Sequence, residues 1–143
     1  MSRVVLHCDM NNYFASVESL YDESLKYVPM AVCGDPSARH GIVLAKNELA
    51  KSYNIITGET SYSAKQKCPS LKIVAPDYSR YLHYARLSRD IYKDYSNAII
   101  PYGLDEAWID LSGIMPFDYA VSIADEIRGR IRQELGLTVS IGV

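Results

Sequence analysis

The chain has 143 residues, of which 48% are hydrophobic and 22% are charged, and these proportions exclude a disordered polypeptide. Its net charge of −2 gives no general sign of nucleic-acid binding, and no apolar run approaches the ~20 residues that a membrane-spanning helix needs. The stretch up to Asp9 is too short and too polar for a signal peptide, so we expect a cytoplasmic protein without membrane contact.

In the first half of the chain, short apolar runs alternate with short helical patterns. Residues 3–8 predict a buried strand, and residues 11–21 predict a helix with apolar residues at helical spacing. The later segments are predicted in chain order as strands, a turn-rich stretch and short helices: strand 30–33, turn 34–41, strand 42–45, helices 46–53 and 61–68, and strand 71–75.

The second half shows clearer periodicity. It predicts, in order, helix 77–95, strand 98–102, strand 106–111, helix 117–135 and strand 137–143. When residues 10–76 are set aside, the order is strand, helix, strand, strand, helix, strand, which is typical of a ferredoxin-like split βαβ fold. The predicted fold class is therefore α+β: a ferredoxin-like sheet at 1–9 and 77–143, with a small α/β subdomain inserted at 10–76.

Acidic residues lie at the ends of two strands that this fold makes neighbours. Asp9 follows the first strand, while Asp105 and Glu106 stand at the start of the third. Adjacent strands are ~4.8 Å apart, so these three carboxylates could reach one ion. Carboxylates so close repel one another unless a divalent cation intervenes, and hard oxygen ligands favour Mg²⁺ or Mn²⁺. Taken singly, Asp9 could be a helix N-cap, and the acidic pair could be an exposed turn.

A pair of such ions ~3.5–4 Å apart would suit an in-line phosphoryl displacement. A segment rich in cations, from Arg39 to Lys72, includes Lys46 and Lys51 and would suit phosphate groups. A solvated charged surface is the alternative explanation of that segment.

Four stretches resemble, in order, motifs of the Y-family DNA polymerases of the DinB/UmuC type. They are DMNNYFASVE at 9–18, VLAKNELAK at 43–51, LDEAWID at 104–110 and VSIGV at 139–143. The resemblance implies a palm at 1–9 and 77–143 and fingers at 10–76, with the family's thumb and little finger absent from this sequence. It also implies a DNA-directed DNA polymerase that acts in translesion synthesis during DNA repair.

The resemblance assigns roles to individual residues. Asp9, Asp105 and Glu106 would be catalytic and would hold two Mg²⁺ ions, with Mn²⁺ as a substitute and with the Met10 carbonyl as a further ligand. The residues implied in nucleotide binding are Asn12, Tyr13, Phe14, Lys46 and Lys51. Phe14 would be the steric gate against a ribose 2′-hydroxyl, with Tyr13 as the second candidate.

The sequence departs from the family pattern at two places. Glu48 and Lys51 stand where many members have a tyrosine and an arginine, and Lys51 supplies a point charge in place of a bidentate fork. Gly103 replaces a serine that is common beside the acidic pair.

The implied partners are primer–template DNA, dNTPs and a sliding clamp bound through regions outside this sequence. Because thumb and little finger are absent, we expect the chain alone to be inactive. The alternative is a non-catalytic, palm-derived interaction module. A nucleotide cyclase is a third interpretation, for which residues 102–106 match the required hairpin motif poorly.

Other residues suggest structural roles. Cys8, Cys33 and Cys68 lack metal-site spacing and are expected to be reduced, mostly buried thiols. His7 is expected in the core, and Trp108 is expected to pack beneath a helix.

Overall fold

The computed structural model of the chain describes residues 3–34 and 41–143. Six residues of the predicted turn-rich stretch, 35–40, lie outside the described residues, and Arg39 and His40 are among them. In chain order the elements are β1 (Val5–Met10), α1 (Tyr13–Tyr21), a 3-10 helix (Glu23–Tyr27), β2 (Met30–Cys33), β3 (Val43–Lys46), α2 (Glu48–Lys51), α3 (Ser61–Lys67), β4 (Lys72–Val74), α4 (Tyr78–Lys93), β5 (Ile99–Tyr102), β6 (Glu106–Asp110), α5 (Phe117–Arg130), a π-helical turn (Ile131–Leu135) and β7 (Val139–Gly142).

The chain divides into two compact units, which are Met1–Asn11 with Ser79–Val143, and Asn12–Tyr78. The two segments of the first unit were predicted as 1–9 and 77–143, so the first segment ends two residues later than predicted and the second begins two residues later. The names palm and fingers for the two units remain a prediction.

The first unit contains a four-stranded antiparallel sheet in the order β5-β6-β1-β7. The first and third strands of the unit, β1 and β6, are therefore central neighbours, as the ferredoxin-like pattern requires. This topology, with the second unit inserted after β1, confirms the predicted fold class.

One face of this sheet is buried, and the alternation of side chains along β1 shows which face it is. Leu6, Cys8 and Met10 are buried, whereas the residues between them are only partly covered. Tyr92 of α4 reaches the buried face, where its hydroxyl donates to the Met10 sulfur over 3.7 Å. Ile127 of α5 is likewise fully buried. Asp9 therefore belongs to the opposite, open face.

The second unit is built around β2, whose four residues are all buried. Strand β3 pairs with it antiparallel and β4 pairs with it parallel, which gives the order β3-β2-β4. Alternate residues of β2 enter two different apolar clusters, one with Ala31 and Cys33 and the other with Met30 and Val32. A strand covered on both sides explains why residues 30–33 form a continuous apolar run.

Among the differences from the predicted elements, three concern the end of β1, the N-cap of α1 and the end of α5. Strand β1 does not end at residue 8 but continues through Asp9 to Met10, because the partly exposed Asp9 fits the open face of the strand. Asn12, in the left-handed conformation, is the N-cap of α1, so the interpretation of Asp9 as a helix N-cap is wrong. The predicted helix 117–135 is α-helical only to Arg130, and its last turn is π-helical.

All three cysteines are free and buried, as predicted. Among residues 3–34 and 41–143, none of the helices combines the length and apolar character that crossing a membrane would require.

Candidate functional site

Two of the predicted catalytic carboxylates are paired across the sheet of the first unit. In the antiparallel pairing of β1 with β6, Asp9 stands opposite Glu106. The third residue, Asp105, is held beside this pair by its backbone, because the Met10 N–H donates to the Asp105 carbonyl oxygen over 2.8 Å. On its other side Asp9 stands opposite Ser140 of β7. The fold thus brings Asp9, Asp105 and Glu106 to one end of two central strands.

Asp105 lies in the three-residue loop 103–105 that joins β5 to β6, closed by the Tyr102–Glu106 pair. Gly103 begins this loop with φ of +66°, a conformation in which a side chain would be strained. A Cβ there would make only an ordinary van der Waals contact with Asp105 Oδ1, at 3.7 Å, so the backbone conformation is the constraint. The left-handed turn accounts for glycine at this position. Arg89 of α4 donates from Nη2 to the Gly103 carbonyl oxygen over 2.6 Å.

The electrostatics of these carboxyl groups are unfavourable. Burial, followed by the charges of Asp9 and Glu106, raises the pKa of Asp105, although its own backbone hydrogen bond partly opposes the rise. Burial and then the Glu106 charge raise the pKa of Asp9, with His7 acting in the opposite direction. Asp9 and Asp105 therefore both resist ionisation in this setting. A cation placed among them would relieve that repulsion.

The donor chemistry fits a hard divalent cation, because carboxylate oxygens are the ligands that Mg²⁺ and Mn²⁺ prefer. The side chains are not yet gathered around a common point: in the described part of the chain, no three His, Cys, Asp or Glu side chains already form a metal site. Glu106 is turned toward His7, with its Oε2 3.2 Å from His7 Nε2. Binding an ion would therefore require side-chain rotation.

His7 and Trp108 do not lie where the sequence suggested. His7 is on the open face of β1, and Trp108 is 43% exposed on the same face of β6. The two rings stack with centroids 4.3 Å apart and planes inclined by 35°. His7 thus belongs to the surroundings of Glu106. His7 and Asp9 are two residues apart in one strand, so their side chains lie on the same face of the sheet. That spacing is the sequence signal that places His7 near the acidic residues.

Farther along the open face, an apolar groove of about 720 Å³ begins beside Trp108. It lies toward the end of β1 opposite Asp9, since Val5 and Asp110, which are register partners, both line it. The rest of the lining consists of Arg3, Val4, Ile100, Phe117 and Val143.

The predicted nucleotide-binding residues all lie in the second unit. Tyr13 is buried, with only 4% of its surface exposed, whereas Phe14 is half-buried. The Phe14 ring meets the edge of Tyr78 at 5.8 Å and packs against the cluster that contains Ala15. Phe14 is therefore the more accessible of the two aromatic candidates for contact with a sugar.

Two of the three polar residues in this group, Asn12 and Lys46, already form side-chain hydrogen bonds within the second unit. Asn12 donates from its side-chain amide to Glu48 Oε1 over 2.9 Å and does not cap α1 with its own side chain. Lys46 donates to the Thr57 hydroxyl over 3.3 Å. Lys51 is exposed at the last residue of α2. The Glu48 carboxylate thus accepts a hydrogen bond from the N-cap residue of α1, a contact the sequence did not reveal.

Comparisons with known proteins identify close relatives. The profile of the impB/mucB/samB family matches residues 8–143. DNA polymerase IV of Acetivibrio thermocellus is 51% identical over 144 aligned positions, which cover 100% of this chain and 36% of that protein. DNA polymerase IV of Clostridium acetobutylicum is 36% identical, and the alignment covers 100% of this chain and 38% of that protein. The chain thus spans little more than a third of the length of these relatives.

Solved structures show the same fold. A Y-family DNA polymerase chimera, Dbh-Dpo4(243-245)-Dbh, superposes with a TM-score of 0.91 at 23% identity, over 96% of this chain and 41% of that one. DinB from Sulfolobus solfataricus gives a TM-score of 0.90 at 24% identity, with the same coverage of both chains.

Proposed function

The chain belongs to the impB/mucB/samB family, and on this basis we propose that it forms the catalytic part of a template-directed, error-tolerant DNA polymerase. Such an enzyme transfers a nucleotide from a dNTP to the 3′-hydroxyl of a primer opposite damaged template bases. The relatives called DNA polymerase IV support this assignment. The first unit would act as the palm and the second as the fingers.

The observation that carries the proposal is the pairing of Asp9 with Glu106 on adjacent strands, with Asp105 held beside them. We propose that these residues, together with the Met10 carbonyl, hold two Mg²⁺ ions. When bound, the ions would lower the pKa of the primer hydroxyl and stabilise the leaving pyrophosphate. The chain's own contribution would be to hold Asp9 and Glu106 on adjacent strands and Asp105 in the adjoining loop, so that the three carboxylates can orient both reacting groups.

The second unit would receive the incoming nucleotide. Phe14 would exclude a ribose 2′-hydroxyl by steric contact, and Tyr13, which is buried, would support it from the core. Lys46 and Lys51 would supply positive charge to the triphosphate. The Glu48 carboxylate would repel a phosphate. Before a phosphate could approach Glu48, this residue would have to break its hydrogen bond with Asn12 and turn away, or a cation would have to lie nearby.

The proposed partners are primer–template DNA and dNTPs, together with a sliding clamp in a protein of the relatives' length. Because relatives are nearly three times as long, we propose that residues 1–143 alone extend a primer negligibly. Duplex binding by these residues should be weak, since a net charge of −2 offers little attraction to phosphates.

The metal site can be tested on this chain by measuring Mn²⁺ binding with electron paramagnetic resonance. Asp9→Ala, Asp105→Ala and Glu106→Ala should each weaken binding at least tenfold, roughly the loss of one ligand's contribution. Asp118→Ala removes an exposed acid of α5 and should leave binding unchanged. Equal binding in Asp105→Ala and Asp118→Ala would contradict the metal assignment.

Activity requires a protein of the relatives' length that carries these residues. There, Asp9→Ala or Glu106→Ala should abolish primer extension while leaving duplex binding measurable. A longer protein that binds DNA but extends no primer with all three carboxylates intact would favour the non-catalytic interaction module.

A further inference from the structure

The long side chain of Arg89 connects helix α4 to the acidic loop 103–105. Arg89 Nη2 lies 2.6 Å from the Gly103 carbonyl oxygen, close enough for a strong charge-assisted hydrogen bond. The flanking residues Ser88 and Tyr92 are buried, which fixes this part of α4 in the core of the first unit. Arg89 therefore extends from a rigid support to a loop that is itself only partly covered.

The loop needs such support because the charges it carries repel. The carboxylates of Asp9 and Glu106 repel that of Asp105, and this repulsion favours displacement of the partly covered loop away from β1. The Met10 N–H holds the loop at the Asp105 carbonyl, which is its end nearest β6. Arg89 holds the other end, at Gly103. The two bonds together restrain both ends of the segment that carries the Asp105 carboxylate.

We propose that Arg89 is a positioning residue for the acidic loop: it keeps the Asp105 carboxylate where a divalent cation can be shared with Asp9 and Glu106. Arg89 donates to the backbone and acts on the cation only through the loop. Gly103 contributes to this arrangement, because its left-handed backbone conformation directs its carbonyl oxygen toward the Arg89 guanidinium. The inference rests on the proposed metal site and adds to it the residue that aligns one ligand.

The direction in which cation affinity changes when Arg89 is removed distinguishes a positioning role from a purely electrostatic one. Arg89 is a cation, so removing it should make the neighbourhood more attractive to a divalent cation if charge alone matters. If Arg89 positions Asp105, its removal should weaken cation binding. Loss of a residue that orients a ligand typically costs 10- to 100-fold in metal affinity.

The experiment uses the 143-residue chain and compares Arg89→Ala, Arg89→Lys and the control Arg86→Ala. Arg86 is an exposed residue of the same helix, and its loss removes the same charge. Mn²⁺ affinity is measured by electron paramagnetic resonance, and amide hydrogen exchange at residues 103–105 is measured by NMR without metal. Thermal unfolding of each variant establishes that it is folded.

We expect Arg89→Ala to bind Mn²⁺ about tenfold or more weakly and to exchange the loop amides faster. Arg89→Lys should be intermediate, because lysine donates a hydrogen bond without the guanidinium geometry. Arg86→Ala should match the parent chain in both measurements. Mn²⁺ binding in Arg89→Ala that equals or exceeds that of the parent would overturn the inference.

Failure of the proposed function gives a different result. If Asp105→Ala binds Mn²⁺ as the parent does, the metal site itself is wrong, and the positioning role toward it falls as well. If Asp105→Ala abolishes binding while Arg89→Ala and Arg86→Ala behave alike, the metal site stands and only the role of Arg89 is overturned.

Discussion

Asp9 and Glu106 occupy the same rung of the sheet, as direct register partners on the antiparallel strands β1 and β6. Like charges placed directly opposite each other destabilise a sheet. The folded chain therefore keeps an arrangement that lowers its stability, and the same arrangement creates a position that favours a bound cation. Such a conflict between stability and local chemistry is typical of functional sites.

Neutralising Asp105 should stabilise the chain at neutral pH when divalent cations are absent. The pKa of Asp105 is higher in the folded chain than in the unfolded chain. Its contribution to the free energy of unfolding is therefore fully present below the unfolded-state pKa and is lost as pH rises through the folded-state pKa. Asp105→Asn should therefore raise the free energy of unfolding by roughly 0.5–1 kcal/mol at pH 7, a value discounted for solvent screening. Urea unfolding with EDTA should show the gain disappearing below about pH 3.9.

Asp110→Asn is the matched control, and its effect should have the opposite sign. Hydrogen bonds from the Ser112 hydroxyl and backbone lower the pKa of Asp110. Its contribution to stability is therefore present above the unfolded pKa and is lost as pH falls. Asp110→Asn should be less stable than the parent at pH 7 and close to it in acid. Stabilisation by both variants would indicate a general effect of net charge.

Phe14→Ala should relax sugar selection in a protein of the relatives' length. Removing the half-buried ring should raise rNTP incorporation relative to dNTP incorporation at least tenfold, which corresponds to about 1.4 kcal/mol. Tyr13→Ala should act differently, because deleting a buried aromatic side chain costs about 3 kcal/mol of stability. Single-nucleotide insertion and thermal unfolding measure the two effects. A larger change in sugar selectivity for Tyr13→Ala would transfer the gate to that residue.

The cysteines of the folded chain should be nearly inert toward thiol reagents. Burial raises the pKa of Cys8 to about 12 and also raises that of Cys33, so little reactive thiolate is present at pH 8. Ellman's reagent should label the native chain slowly and all three cysteines after unfolding in guanidinium. Labelling of Cys8 at the rate of a free thiol would show that the buried face of β1 opens readily.

The 143-residue chain should fold cooperatively yet extend a primer negligibly. Catalysis needs the 3′-hydroxyl, the template base and the triphosphate held together, and misplacement by ~1 Å can cost ~100-fold. The assay supplies primer–template DNA, Mg²⁺ and all four dNTPs at low salt, with a relative of full length as the positive control. Templated addition of several nucleotides by the short chain would show that these residues position the duplex unaided.

The architecture could be predicted because it follows from local patterns and a topological rule. Alternation in β6 and the apolar run of β2 each marked a strand, and the strand order then made β1 and β6 neighbours. That adjacency alone predicts Asp9 beside Glu106, as the pairing of β1 with β6 shows. Whether these residues bind metal remains a prediction.

Contacts between single side chains could not be predicted in the same way. The bonds from Arg89 to Gly103 and from Asn12 to Glu48 join residues far apart in sequence, and each depends on a rotamer that no periodicity encodes. The apolar residues around His7 predict a place in the core, but the alternation of side chains along β1 puts His7 on the open face. The sequence pattern therefore describes faces and strand order better than it describes the hydrogen bonds that complete a site.

The exposed ring of Trp108 gives the molecule a natural optical reporter. It is the only tryptophan among the 143 residues, so excitation near the red edge of indole absorption would separate its emission from that of the twelve tyrosines. Its ring stacks on His7, and His7 in turn contacts Glu106, so rotation of that carboxylate would disturb the stack. Occupancy of the acidic site could therefore be followed as a change in fluorescence, without any label attached to the chain.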